Sequence, residues 1–267
     1  MVNVKDLRCL LLHGLGGSPF EVRPVADALI EAGHATVCPV LPGHAATESD
    51  YLSSSYSQWL QCARAAYAAQ CDLGPVLLGG YSLGGLLALD LALEAAKGLA
   101  PQPMGLLLLA TPLFLWRPLP FFAADWRIPL LPVWNRLQPV RRVPCRSAAS
   151  RTAAPWQGHE TLCSYRHLRQ MQLAQQRIRA GLGRLAAPLC VIQLQSDGVC
   201  PPFNAFYLAG HCGSREVGVH ILRVSSPHGG HLPATHAESS RRVAAIAAGF
   251  ASGLAAGKAC KIGPQRI

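Results

Sequence analysis

A serine between two glycines is the clearest candidate for chemistry in this sequence. The segment GYSLG at 80–84 has the pattern G-x-S-x-G and follows the apolar segment PVLLG at 75–79. On a sharp strand-to-helix turn the serine hydroxyl projects outward, and side chains two residues before and after it would collide with neighbouring backbone. The helix N-terminus behind the serine stabilises negative charge that develops during attack. The pattern predicts a nucleophile at Ser82; a glycine-rich turn with an incidental serine is the alternative.

A second glycine-rich segment could hold the charge that such an attack creates. HGLGGS at 13–18 follows the apolar run LRCLLL. A carbonyl under attack becomes an oxyanion, which needs two preorganised hydrogen-bond donors. One is the backbone N–H after the nucleophile, that of Leu83, and the other comes from the loop after an early strand, by position Leu15. An ordinary glycine turn is the alternative, and we interpret His13 as a structural hydrogen-bonding residue.

A serine nucleophile of this kind needs a carboxylate and then a histidine, in that chain order. Asp197 directly follows the apolar segment 186–196. Catalytic groups in α/β sheets lie at the carboxyl ends of strands, and neither Asp90 nor Asp125 follows a core strand. We therefore predict that Asp197 fixes the imidazole tautomer and stabilises the imidazolium. The alternative is a surface carboxylate.

Three histidines follow the last predicted strand, in SPHGGHLPATHAE. We predict His231 as the general base, because Gly229 and Gly230 let the chain turn back over the sheet, and His228 stays open as its rival. His236 is assigned to the start of the last helix. His228 and His231 also form an H-x-x-H pair, but no third ligand accompanies them, so no metal site is predicted.

The elements that must position these residues alternate between strand and helix. The predicted strands are the segments 7–12, 35–41, 104–110, 186–196 and 218–225, together with the first part of 75–85. The predicted helices are 20–32, 56–71, the segment from Ser82 to about Lys97, and 237–255. Such alternation is typical of parallel strands buried on both faces. The prediction is one α/β domain over 1–267, built on a mostly parallel, doubly wound sheet.

One stretch, at about 112–185, breaks the alternation and is predicted to be a cap or lid insertion folded over the sheet. It contains no convincing strand, many prolines and most of the Trp and Phe residues. Residues 113–158 hold seven Arg but a single acidic residue, Asp125. Two interpretations are open. The segment is an acyl-binding lid whose basic rim contacts a lipid surface, or a cap whose aromatic residues are buried against the core.

Composition narrows the class of protein. Half of the 267 residues are hydrophobic and 14% are charged, which fits a packed core. The formal net charge of +10 comes mostly from scattered Arg without a nucleic-acid motif, so we expect a solvated basic surface or attraction to anionic lipid, and no nucleic-acid partner. Ten Cys without a C-x-x-C pair, a charged N-terminal segment and no run of eighteen apolar residues predict a reduced, cytoplasmic protein. Oligomeric state is not predicted.

Five motifs together resemble the bacterial carboxylesterase and monoacylglycerol lipase group of the α/β-hydrolase superfamily, and they cover nearly the whole core. They are LLLHGLGGSP, LPGH at 41–44, GYSLGG, LQSDGVCPP and GGHLPATHAE. In that group the acid is a strand-end Asp followed by a Val-and-Pro turn, which matches Asp197. The group's histidine lies in a Gly-His-apolar segment, which matches His231 better than His228.

The resemblance implies that the chain hydrolyses short- or medium-chain acyl esters or monoacylglycerols through an acyl-enzyme, without metal or organic cofactor. Two features depart from the group. Ala45 follows LPGH, where another Gly is usual, and the insertion is longer and richer in Arg and Trp than compact caps. These two departures bear on which small-molecule acyl ester is the substrate more than on the catalytic chemistry.

Two other functions are compatible with the same residues. A thioesterase or acyltransferase acting on CoA- or carrier-bound acyl groups would use the same three side chains, and the basic insertion would suit a phosphorylated carrier. A non-catalytic binding protein on this fold would usually lack Ser, Asp or His.

Overall fold

The computed structural model describes residues 7–117 and 121–257. The charged segment 1–6 and Cys260 lie outside the described residues. The strands are β1 Arg8–Leu12, β2 Ala35–Val37, β3 Val76–Tyr81, β4 Gly105–Leu109, β5 Trp116–Arg117, β6 Phe122–Ala123, β7 Val140–Arg142, β8 Leu162–Ser164, β9 Leu189–Leu194 and β10 Val217–Leu222. The helices are α1 Arg23–Glu31, α2 Glu48–Ser53, α3 Tyr56–Cys71, α4 Leu83–Ala95, α5 Leu131–Leu137, α6 Ala148–Ala153, α7 Tyr165–Gly181, α8 Phe203–His211 and α9 Ser240–Ala255.

Six strands form the central sheet, in the order β10-β9-β4-β3-β1-β2, and every neighbouring pair is parallel. All residues of β3, β4 and β9 are buried, which explains their nearly continuous apolar sequences. The edge strand β2 ends at Val37, before Pro39, whose missing N–H cannot join a ladder. The predicted parallel sheet is confirmed.

Helices cover both faces of the sheet because alternate strand residues point to opposite sides. On β1, Leu10 and Leu12 join a buried cluster with α3, α4, α7 and α8. Cys9 and Leu11 join a second cluster with α1 and α9. The sheet is therefore doubly wound, as predicted, and the loops that follow its strands meet at its carboxyl edge.

The predicted elements of the core differ from the structure mainly at their ends. The predicted helix 20–32 begins with a 3-10 turn at Pro19–Glu21 before α1. Two short helices, α2 and α8, were not predicted. Helix α2 starts at a capping box in which Thr47 and Asp50 satisfy each other's backbone N–H groups, at 3.3 and 3.2 Å.

The segment between β4 and β9 adds two small antiparallel pairs, β5–β6 and β7–β8. It also has an apolar cluster of its own, formed by Leu115, Ile128, Leu131 and Tyr165. Helix α7 packs against α4 and α3 in the layer beside the sheet. The division into a single domain with a cap at about 112–185 stays a prediction. The part of this insertion that precedes α7 is the part able to cover the carboxyl edge.

Within the described residues, no helix is both long and apolar enough to cross a membrane. The nine described cysteines are all free thiols.

Candidate active site

Ser82 occupies a strained turn between β3 and α4. Its φ of 52° and ψ of −113° lie where residues with a side chain are seldom found. A Cβ at Gly80 would overlap the backbone of Gly84, and a Cβ at Gly84 would overlap the carbonyl oxygen of Leu12. The two glycines of the motif are therefore required by close packing. The turn is held by the N–H of Ser82, which donates to the carbonyl of Leu109 at 2.9 Å.

One imidazole connects the serine to a carboxylate. Nε2 of His231 lies 3.1 Å from the Ser82 Oγ, and Nδ1 lies 2.8 Å from the Asp197 Oδ2. A carboxylate only accepts, so Nδ1 carries the proton and Nε2 is left to accept from the serine hydroxyl. The structure thus brings together the three side chains predicted from the sequence, at the carboxyl edge of the sheet.

The other two histidines of the segment lie elsewhere. His228 is exposed, and its backbone carbonyl accepts from Nε2 of His236 at 3.1 Å. His236 is buried just ahead of α9, and its Nδ1 accepts from the N–H of Glu238 at 3.1 Å. Of the three imidazoles, only that of His231 contacts Ser82.

Asp197 is held in place by four donors. Its side chain is 0% exposed. Oδ1 accepts from the backbone N–H groups of Val199 and Cys200 at 2.9 and 2.8 Å, and Oδ2 accepts from Nε2 of Gln193 at 2.7 Å as well as from His231. These bonds fix the carboxylate and offset the cost of burying it. The sequence analysis did not predict a role for Gln193, although it is the one polar residue in the apolar strand β9.

The surroundings of His231 favour its protonated form. Burial alone would lower the pKa of His231, but the charge and hydrogen bond of Asp197, with the charge of Glu21, leave it raised above its ordinary 6.5. The imidazolium is therefore stabilised by two carboxylates. That is the property required of a base that must hold a proton during a reaction.

The loop after β1 borders Ser82 from the other side. We call residues 14–17, which include the predicted oxyanion donor Leu15, the oxyanion loop. Leu15 lines the same cavity as Ser82, while Leu83 is the first residue of α4. His13, just before this loop, is buried; its Nε2 accepts from the N–H of Leu41 at 3.0 Å, and burial lowers its pKa to about 3. His13 is therefore neutral and hydrogen-bonded at both ring nitrogens, which agrees with the structural role expected for it.

Glu21 is a buried carboxylate of the site that the sequence reasoning missed. Its Oε2 accepts from the N–H of Gly14 at 2.6 Å, and its Oε1 accepts from Nε1 of Trp156 in the insertion. Burial raises the pKa of Glu21 to about 7, against the effect of both bonds and of His231. In the sequence its only signal is an acidic residue in an otherwise apolar stretch.

A cavity of about 620 Å³ opens at Ser82 and His231. This size falls in the range of small-molecule sites. Core loops form one wall and the insertion forms another. Its apolar lining includes Leu15, Tyr51, Leu115, Leu162, Leu168 and Met171, and its polar lining includes Arg146, Ser150 and Glu160. Among the described residues, no group of three or more His, Cys, Asp or Glu is placed to hold a metal ion.

Part of the chain is similar in sequence to a known protein. A thermostable monoacylglycerol lipase from Bacillus sp. (strain H-257) is 33% identical over 86 residues, which are 31% of this chain and 34% of that protein. The match thus spans about a third of that relative's length.

Solved structures align over most of the chain. One reported for the metagenome-derived lipolytic enzymes LipS and LipT gives a TM-score of 0.76 at 18% identity, covering 92% of this chain and 94% of that one. A soluble variant of the Saccharomyces cerevisiae monoglyceride lipase gives 0.75 at 12% identity, covering 95% and 88%. At such identities the likeness concerns the fold. The alpha/beta hydrolase family pattern matches residues 9–246, and the chain belongs to that family.

Proposed function

We propose that this protein is a serine hydrolase that cleaves carboxylic esters through an acyl-enzyme. The observation that carries the proposal is the hydrogen-bonded row from Ser82 through His231 to Asp197, at one rim of a partly apolar cavity. Family membership and the lipolytic names of the similar proteins support it.

In the first half of the reaction, the Ser82 Oγ attacks the ester carbonyl carbon while Nε2 of His231 takes the hydroxyl proton. The carbonyl oxygen becomes an oxyanion, and the N–H groups of Leu15 and Leu83 stabilise it. When the tetrahedral intermediate collapses, the C–O bond to the alcohol breaks. His231 returns its proton to the leaving alcohol, and the acyl group stays on Ser82.

In the second half, water replaces the alcohol. His231 takes a proton from the water, the resulting hydroxide attacks the acyl carbon, and the same two N–H groups hold the oxyanion. Collapse releases the carboxylic acid, and Ser82 regains its proton from His231. Asp197 keeps the imidazole in the required tautomer throughout, and no metal or organic cofactor takes part in any step.

The cavity suits short- or medium-chain acyl esters or monoacylglycerols. Leucine and methionine side chains from the insertion, including its helix α7, line it beside Ser82, and these bury an acyl chain favourably. Arg146, Ser150 and Glu160 line it as well and offer partners for a polar alcohol such as glycerol. The monoacylglycerol lipase activity named for the Bacillus relative agrees with this choice.

The insertion also presents an apolar surface to solvent, on and beside α5. We call this surface the lid face. It consists of the exposed side chains Trp126, Leu130, Val133 and Leu137, and the Trp126 ring lies against Trp134 of α5. The guanidinium of Arg127 stacks 4.5 Å from the Trp126 ring. Aromatic residues beside Arg favour the interface of an anionic membrane, so the proposal includes peripheral contact with anionic lipid.

The nucleophile is tested directly by Ser82→Ala. Removal of the attacking oxygen should lower ester turnover by at least about 10³-fold and leave the fold intact. Labelling by a fluorophosphonate probe, followed by peptide mapping, should modify Ser82 in the wild type and nothing in the variant. Ser214→Ala, which changes a serine at the opposite edge of the sheet, is the control and should keep both properties.

The substrate is tested by rates on p-nitrophenyl esters of increasing chain length, on monoacylglycerols and on acyl-CoA. The proposal expects esters to be cleaved faster than acyl-CoA. A faster rate on acyl-CoA would favour a thioesterase. Unchanged ester hydrolysis by Ser82→Ala would exclude Ser82 as the nucleophile.

A further inference from the structure

The carboxylate of Glu21 lies directly behind the oxyanion loop. Its two oxygens accept from the backbone N–H of Gly14 and from the indole of Trp156. Gly17 lies so close to this carboxylate that a Cβ at position 17 would overlap the carboxylate atoms. Glu21 is itself buried, at 3% exposure, which is costly for a carboxyl group unless hydrogen bonds compensate.

The insertion grips the same loop at a second point. The N–H of His159 donates to the carbonyl of Gly16 at 2.8 Å. A Cβ at Gly158 would overlap that carbonyl oxygen, so the two backbones are in close contact. The loop that carries the N–H of Leu15 is therefore fixed on one side by Glu21 and on the other by Gly158 and His159.

We propose that Glu21 is a positioning residue: it holds the oxyanion loop against Trp156 of the insertion and thereby directs the N–H of Leu15 at the substrate oxyanion. The inference rests on the proposed function, because an oxyanion arises only if Ser82 attacks a carbonyl. It assigns to the insertion a part in forming the oxyanion hole, in addition to covering the cavity.

A carboxylate suits this place better than an amide. Both partners of Glu21 are donors, and an ionised carboxylate accepts at both oxygens, whereas Gln would turn its NH₂ toward one of them. The displaced donor would move the loop. A shift of the Leu15 N–H affects the transition state more than the bound ester, so kcat should fall while KM changes little.

The charge of Glu21 gives a second readout. The titratable groups that interact with it are His231 and Tyr81, and Arg146 acts on Tyr81 in turn. Glu21 must be ionised to accept twice and has a pKa of about 7, while the pKa of His231 is raised above 6.5. Activity in the wild type should therefore fall with the uptake of two protons as the pH drops below about 7.

The experiment compares Glu21→Gln, Trp156→Phe and the double variant with the wild type on a p-nitrophenyl ester. Glu21→Gln should lower kcat by about 10- to 100-fold, less than the full loss of one oxyanion donor, with KM within about threefold. Trp156→Phe keeps an aromatic ring but removes the indole N–H donor, so it should lower kcat in the same way. The double variant should lose less than the product of the single losses.

Asp90→Asn is the matched control. Asp90 is a buried carboxylate that accepts from the Tyr56 hydroxyl at 2.7 Å and from Arg177 at 2.6 Å, away from the cavity. Its removal should lower the Tm and leave kcat within about twofold, which separates loss of stability from loss of positioning.

In Glu21→Gln, the acid limb of log kcat/KM should change from a slope near two to a slope near one. It should also move to lower pH, because the variant loses a charge that raises the pKa of His231. An unchanged limb, or a kcat within about twofold of the wild type, would overturn the inference alone. Absence of fluorophosphonate labelling at Ser82 in the wild type would instead remove the proposed function together with it.

Discussion

The carboxyl edge of the sheet and the insertion that faces it form one cavity, but they are specified in different ways. Ser82 follows β3, Asp197 follows β9, and His231 lies in the loop after β10. Each of these residues follows a strand in the chain, and a pattern of a few neighbouring residues marks it. The insertion instead takes its place from contacts between residues far apart in the chain, such as Glu21 with Trp156.

This difference indicates where the chemistry and the selectivity of the site reside. In the proposed reaction, the sheet edge supplies the nucleophile, the base and the carboxylate in nearly fixed geometry, since buried strands and four donors to Asp197 hold them. The insertion supplies most of the apolar lining, the lid face and the Trp156 contact. Changes at the sheet edge should abolish turnover, whereas changes in the insertion should alter access and rate.

The largest expected effect separates the two candidate bases. His231→Gln should lower kcat by about 10³-fold or more, because the Ser82 hydroxyl loses the group that takes its proton. His228→Gln should stay within about threefold of the wild type, because its exposed ring contacts neither Ser82 nor Asp197. Steady-state kinetics on one ester decide the assignment. A severe loss in His228→Gln beside an active His231→Gln would reverse it.

Much of the core could be predicted because its signals are local. Helix α3 begins and ends where periodicity places it, at residues 56 and 71, and β4 lies within the predicted 104–110. The motif around Ser82 was readable because overlap of backbone atoms excludes other residues from Gly80 and Gly84. Periodicity could not distinguish His228 from His231, since both follow the same strand and only the path of the loop separates them.

The rest depends on tertiary contacts that leave no pattern. Strands β5 to β8 have two or three residues each, too few to show an alternation. Glu21 is a buried polar residue whose partner Trp156 lies 135 positions away in the chain. A sequence pattern cannot pair such residues without the fold.

A smaller effect tests the lid face. Leu137→Ser should weaken binding to anionic vesicles by about 10-fold, because it removes an apolar side chain that would insert into the interface. Leu99→Ser is the matched control, since both leucines are 73% exposed and Leu99 precedes β4 at the opposite edge of the sheet. Co-sedimentation with vesicles of anionic and neutral phospholipid measures the binding. Equal losses in the two variants, or equal binding of the wild type to both vesicles, would argue against an anionic-lipid contact at this face.

The smallest effect concerns a core loop in which a residue other than glycine has a left-handed conformation. Ala45 follows LPGH and has a φ of 52°, a left-handed conformation that glycine adopts without strain. The neighbouring His44 ring packs against Tyr51 and Trp59, at 5.4 and 5.2 Å between centroids, and these contacts hold the loop in that conformation. Relief of the strain in Ala45→Gly should exceed the added entropy of the unfolded chain, so the free energy of unfolding should rise by up to about 1 kcal/mol.

Ala46→Gly supplies the opposite expectation one residue later. Ala46 is not among the described residues with a positive φ. The substitution there therefore only increases the entropy of the unfolded chain and should lower the free energy of unfolding by about 0.4 to 1 kcal/mol. Urea unfolding of both variants measures the two signs. Equal destabilisation would mean that the left-handed conformation of Ala45 costs little, and that the loop tolerates a side chain at this position.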